Sequence, residues 1–85
     1  MLRFRLTRLI EEVEFREKRR LTLIEISEKT GIYRTTLSRI SGPAPFNTTT
    51  DNIDRLCKFF GCSVADLVEY VPDETSAKEG DRPAQ

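Results

Sequence analysis

Residues 21–40 read LTLIEISEKTGIYRTTLSRI, and the spacing predicts two short helices joined by a tight turn at Gly31. Thr22 and Glu25 have the T-x-x-E spacing of a capping box, with Leu21 and Ile26 at the two staple positions. That helix should end near Lys29–Thr30. Gly31 then takes the left-handed conformation that a side chain resists. A second helix follows from about Arg34 to Ser41. Leu37 and Ile40 point inward, and Ile32 plugs the turn. Gly42, Pro43 and Pro45 stop it, because proline cannot continue a helix.

Two helices cross closely only where the contact point is small. Ser27 supplies that point, one turn before Thr30. Ile26, Ile32, Leu37 and Ile40 then close the wedge and fix the angle of the second helix. With Leu37 and Ile40 spent on the core, the free face is Tyr33, Arg34, Thr35, Thr36, Ser38 and Arg39. A polar, basic helix held on an apolar scaffold suits the major groove of DNA. Arginine makes a bidentate contact to guanine O6 and N7 worth about 1–3 kcal/mol of discrimination. Thr35 offers a hydroxyl and a methyl, and Ser38 permits close approach. Arg34, Thr35, Ser38 and Arg39 are therefore the candidate base contacts. Tyr33 and Thr36, at the helix start, suit backbone phosphate. Thr22 and the free N–H groups of its helix suit another phosphate.

Working outward, Leu2, Phe4 and Leu6 alternate with Arg3 and Arg5, a strand pattern over residues 2–6. A lone strand needs a partner. Val68–Val71, before Pro72, is the best one, giving a two-stranded antiparallel pairing of the termini within or between subunits. A first helix is expected from a Thr7 cap to about Arg19, with Leu9, Ile10 and Val13 inward. Its charged end, EFREKRR, carries the basic cluster Arg16, Lys18, Arg19 and Arg20. After the loop SGPAPFNT, a fourth helix should begin near Thr49–Thr50 and end at Gly61, burying Ile53, Leu56, Cys57 and Phe60. A fifth starts at Ser63, with Asp66 completing a capping box and Val64, Leu67 and Val68 inward. The tail DETSAKEGDRPAQ has almost no apolar content, and disorder is expected there. The expected organisation is one domain over residues 1–72 and a polar tail over 73–85.

Eighty-five residues suit one small core. Formal charge is zero, yet residues 1–40 hold ten Lys/Arg against six Asp/Glu, a net of +4, and residues 41–85 hold four against eight, a net of −4. That asymmetry can steer an anionic polymer to one face. No apolar run is long enough to span a bilayer and no secretory signal is present, so a cytoplasmic location is expected. Cys57 and Cys62 have no partner pair and no histidine, so two buried thiols are expected rather than a metal site. No Gly-rich phosphate loop, clustered carboxylate pair or nucleophile–base arrangement is seen. The chain is read as a non-enzyme with no cofactor, no metal and no small-molecule substrate.

At S27-E28-K29-T30-G31-I32 and R34-T35-T36-L37-S38-R39-I40 the chain resembles the phage-repressor (Cro-type, XRE) helix-turn-helix family. The stretch from Leu56 to Pro72 resembles a small bacterial subgroup of these regulators. The resemblance covers most of residues 6–72. It implies a mainly all-α, five-helix phage-repressor-like DNA-binding domain that regulates transcription, usually as a homodimer on palindromic double-stranded DNA. Leu23 stands where many relatives have a phosphate-holding glutamine, and Tyr33 where a serine commonly caps the reading helix. Pro43, Ala44, Pro45 and Phe46 replace an often basic loop. Phosphate affinity is accordingly assigned to Arg16–Arg20, Thr36, Asn47 and Thr48. Phe46 is expected to fold back on the core. The competing reading is a protein-interaction or antitoxin-like module that keeps the scaffold without operator binding.

Overall fold

Residues 1–44 and 46–72 are described by the computed structural model. Pro45 and the expected polar tail lie outside the described residues. Local sequence signals place most of the elements: β1 (Leu2–Phe4), α1 (Leu6–Glu17), α2 (Leu23–Thr30), α3 (Arg34–Ile40), α4 (Thr50–Phe60), α5 (Val64–Leu67) and β2 (Val68–Tyr70). The fold is mainly helical, with one small sheet.

That sheet joins the two ends of the domain within one chain. β1 and β2 run antiparallel, pairing Leu2 with Tyr70, Arg3 with Glu69 and Phe4 with Val68. The ladder extends at both ends. The Met1 ammonium donates to the Val71 carbonyl across 2.6 Å, and the Arg5 N–H donates to the Leu67 carbonyl across 2.7 Å. The Arg5 guanidinium reaches the Ala65 carbonyl and pairs with Glu69 at 3.3 Å.

The strand is shorter than the alternation suggests, and α1 starts before the expected Thr7 cap. Arg5 takes the cap position without a side-chain bond to the helix's own N–H groups, and Leu6 lies in the first turn. Leu6 is fully buried. It continues the strand's alternation, but it also opens the i, i+3, i+7 stripe with Leu9 and Val13. Burying that side chain on the helix stabilises by about 1.5–3 kcal/mol, which decides the contest. The helix closes at Glu17, short of Arg19, with Lys18 left-handed at φ 57°.

Caps set the other boundaries. The hydroxyls of Thr22 and Thr49 accept the N–H groups of Glu25 at 3.2 Å and Asn52 at 3.1 Å. Gly31 and Gly61 end α2 and α4 at φ 80° and 66°. Asp66 reaches back to Ser63, accepting from its N–H at 3.2 Å and its hydroxyl at 3.1 Å. These bonds hold the Asp66 carboxyl below its ordinary pKa.

The core joins Leu6, Leu9 and Val13 of α1 to Ile26, Ile32, Leu37, Ile40, Leu56 and Leu67. Ile53, Cys57 and Phe60 are half-buried against it, and Phe59 meets Phe60 edge to face at 5.0 Å. Phe46 folds back on the core as expected. Val64 does not turn inward. It is 58% exposed, because the single turn of α5 commits its inner side to Leu67.

Candidate nucleic-acid interface

The turn between α2 and α3 is closed by side chains as well as by Gly31. The Ser27 hydroxyl donates to the Ile32 carbonyl across 2.6 Å. The Thr30 hydroxyl donates to the Ile26 carbonyl at 2.7 Å and accepts from the Ile32 N–H at 3.2 Å. Arg55 of α4 donates to the Thr30 carbonyl at 3.0 Å while its Nε pairs with Asp51 at 2.9 Å. These bonds satisfy the Thr30 carbonyl and both backbone polar groups of Ile32 within the fold. Thr30 and Arg55 were missed in the sequence. Thr30 carried a weak signal, a short hydroxyl beside the turn glycine, and Arg55 carried none.

Behind that turn, Ile32, Leu37 and Ile40 are buried, which fixes how α3 sits on α2. The outer face of α3 then follows. Arg34, Thr35, Ser38 and Arg39 are all exposed. Their i, i+4 spacings, 34 with 38 and 35 with 39, put them on one side of the helix. Tyr33 precedes them, 79% exposed, at a cap position where its side chain makes no cap hydrogen bond. Thr36, expected on the free face, is half-buried instead, because it lies one turn before Ile40 and borders the inward stripe.

Arg34 and Arg39 have no ion-pair partner among the described residues. The Arg39 guanidinium lies 5.9 Å from the centre of the Phe46 ring, a cation–π distance that restrains it without neutralising it. The basic cluster after α1 behaves differently. Arg19 binds Glu25 through two hydrogen bonds of 2.9 and 3.1 Å and Glu17 through one of 2.8 Å. Arg20 pairs with Glu14 at 3.5 Å, and Arg16 stands 4.0 Å from Glu17. Of the four cations, Lys18 alone has no such partner among the described residues. Arg19 is thus shared between two of the chain's own carboxylates, whereas the Arg20 side chain stays 89% exposed beside Glu14.

Arg19 also explains why the Thr22 box is only half formed. The Glu25 carboxylate turns to the guanidinium instead of back to the Thr22 N–H. Hydrogen bonding to Arg19 pulls Glu25 below its ordinary pKa and raises Arg19 in return. The Thr22 hydroxyl accepts one N–H, which leaves its own proton for another acceptor. Thr48 accepts from the Asn52 amide at 3.0 Å and is half-buried, whereas Asn47 is exposed. The candidate phosphate contacts thus lie on three elements: the α2 cap, the start of α3 and the connection to α4.

An exposed basic helix on a two-helix wedge, braced by α4, is the arrangement described for residues 22–60. Residues 14–73 match the family model of the Cro/C1-type HTH DNA-binding domain. The chain belongs to that family. No curated protein and no solved structure matches it. The match omits β1 and the first two turns of the α1 helix, so in this Cro/C1-type domain the sheet joins a strand outside the matched region to one inside it.

The two cysteines of the domain are free and half-buried. Burial pushes the Cys62 thiol up, and neighbouring Cys57 adds to the effect. No described helix is long and apolar enough to cross a membrane.

Proposed function

We propose that this domain is a cytoplasmic, sequence-specific transcriptional regulator that lays α3 in the major groove, acting as a homodimer on a palindromic operator. Arg34, Thr35, Ser38 and Arg39 read base edges. Thr22, Tyr33, Thr36, Asn47 and Thr48 hold phosphates. The domain doing this spans residues 1–72. The observation that carries the reading is the contrast between two sets of arginines. Arg19 and Arg20 are bound to the chain's own carboxylates, whereas Arg34 and Arg39 stand exposed on α3 without an ion pair among the described residues. A charge left unpaired beside hydroxyls on a rigid helix is suited to an anionic, hydrogen-bonding partner.

Selection of bound sequences from random duplex DNA tests this. The expected outcome is an enriched motif of two half-sites about 10–10.5 base pairs apart, centre to centre. A second reading draws on the zero net charge and the self-paired Arg19 and Arg20. In it the scaffold binds another protein. Salt separates the two, because affinity for duplex DNA falls steeply with salt when phosphates are neutralised. Absence of an enriched motif, with no salt-dependent duplex binding, would leave only the second reading.

A further inference from the structure

We infer that Arg3 of β1 is a further phosphate contact, a cation set beside the exit of α3 that holds the DNA backbone next to the face carrying Arg34 and Arg39. This rests on the DNA reading and adds to it a residue of a strand outside residues 14–73, so membership of the family does not supply it.

Charge pairing sets Arg3 apart. Among the described residues, Arg3, Arg34 and Arg39 are the arginines with no ion pair. For Arg3 this is unexpected, because Glu69 lies directly opposite it in the ladder. Opposite charges in that relationship normally stabilise a strand pair. Glu69 pairs with Arg5 instead, at 3.3 Å, and the Arg5 guanidinium is also held by the Ala65 carbonyl. Arg3 is left exposed with its charge free.

Its position suits a phosphate. Arg3 lines two clefts together with Gly42 and Pro43, the residues through which the chain leaves α3. Gly42 is tied back to that helix, its N–H donating to the Arg39 carbonyl at 3.2 Å. Arg3 therefore stands at the end of α3 that carries Arg39. The chain leaving that end has little of its own to offer an anion. Pro43 and Pro45 have no N–H, and Ala44 and Phe46 have no polar side chain. Phosphate contacts fix the register of a reading helix on the duplex. Those proposed on α3 sit at its start, at Tyr33 and Thr36, and Arg3 adds one at its exit. The larger cleft sets three arginines against two carboxylates, Glu11 and Glu69, so the local balance also favours an anion.

The test follows duplex binding by the full chain as salt is raised, on a selected operator and on a random-sequence duplex of the same length. Arg3→Gln keeps the side-chain stem and the backbone ladder and removes the charge. Loss of one phosphate contact lowers the slope of log affinity against log salt by about 0.9. The advantage of wild type over Arg3→Gln should accordingly shrink about three- to fourfold between about 50 and 200 mM salt, and equally on both duplexes. Arg3→Lys should restore the slope, because a phosphate accepts a point charge. Lys58→Gln, on α4, removes a cation already paired with Asp54 at 3.2 Å and should leave the slope unchanged. An arginine that served only the ribbon would instead lower the urea midpoint on substitution and leave the slope alone. Three outcomes overturn the inference: an unchanged slope in Arg3→Gln, an equal fall in Lys58→Gln, or a loss confined to one base position of the operator. A wild type that binds no duplex in a salt-dependent way would remove the DNA reading itself, and this contact with it.

Discussion

The Ser27 hydroxyl donates to the Ile32 carbonyl across 2.6 Å, bridging the last turn of α2 to the residue that plugs the wedge. Ser27 therefore does two things. Its small side chain permits close approach of α3, and its hydroxyl satisfies a carbonyl beside the core. Ser27→Ala keeps the first role and removes the second. An unsatisfied, partly buried acceptor typically costs about 1–3 kcal/mol. Urea unfolding should show a loss in that range with an unchanged slope. Ser27→Val should cost more than the alanine, because it also wedges the helices apart.

Gly31 is constrained twice. At φ 80° a side chain is strained, and a Cβ there would stand 2.9 Å from Arg55 Nη1. Gly31→Ala should cost about 1–2 kcal/mol for the left-handed conformation alone. The flexible tip of Arg55 can swing aside, so any further cost is that of the hydrogen bond it gives up at the Thr30 carbonyl. That component disappears when Arg55 is truncated. In a double-mutant cycle, Gly31→Ala should accordingly be less damaging in an Arg55→Ala background. Strict additivity would show that the guanidinium moves aside freely.

Much of this architecture was legible because its signals are local. Thr22, Thr49 and Ser63 announce helix starts, Gly31 and Gly61 announce ends, and alternation at Leu2 and Phe4 announces a strand. Leu6 was ambiguous because it satisfies both periods, and only burial against distant elements separates them. Val64 departs from its apolar pattern because a one-turn helix has room for a single inward residue, which is Leu67. At the candidate site, the exposed face of α3 followed directly from the inward positions of Leu37 and Ile40. The neutralisation of Arg19 did not. It depends on how the chain folds between α1 and α2, and charge spacing alone does not say that Arg19 turns to Glu25. Arg55 was invisible for a similar reason, since its partner is a backbone carbonyl on another helix.

Two carboxylates give the fold an acid-sensitive component. Asp66 is lowered from an ordinary pKa of 3.8, chiefly by the Ser63 N–H, and Glu25 from 4.5, chiefly by its bond to Arg19. A carboxyl with a lower pKa in the folded state than in the unfolded state stabilises fully above its unfolded value. That contribution is lost as pH falls through the folded value. Thermal stability should thus decline below about pH 4.5, and Asp66→Asn and Glu25→Gln should each flatten that decline. Added salt should weaken the Glu25 contribution more, because an exposed ion pair is screened. Identical acid profiles in wild type and both variants would contradict the assignment.

Arg34 and Arg39 make the most direct claim on function, and they should differ from each other. Neither has an ion pair among the described residues, so truncation breaks no internal ion pair and the fold should be retained, as far-ultraviolet circular dichroism would report. Each of Arg34→Ala and Arg39→Ala should weaken binding to a selected operator by about 1–3 kcal/mol and relax the preference at one base position. Arg39 has the Phe46 ring to restrain its guanidinium, and Phe46 sits in the loop that leaves α3. Phe46→Leu keeps an apolar side chain against the core but removes the ring face. It should reproduce part of the Arg39→Ala loss, and the two effects should not add, since both act through one guanidinium. Arg34→Ala combined with Phe46→Leu should add. Additivity for Arg39 with Phe46 would show that the ring supports the loop without orienting the arginine, and unchanged affinity in both arginine variants would remove α3 as the reading face.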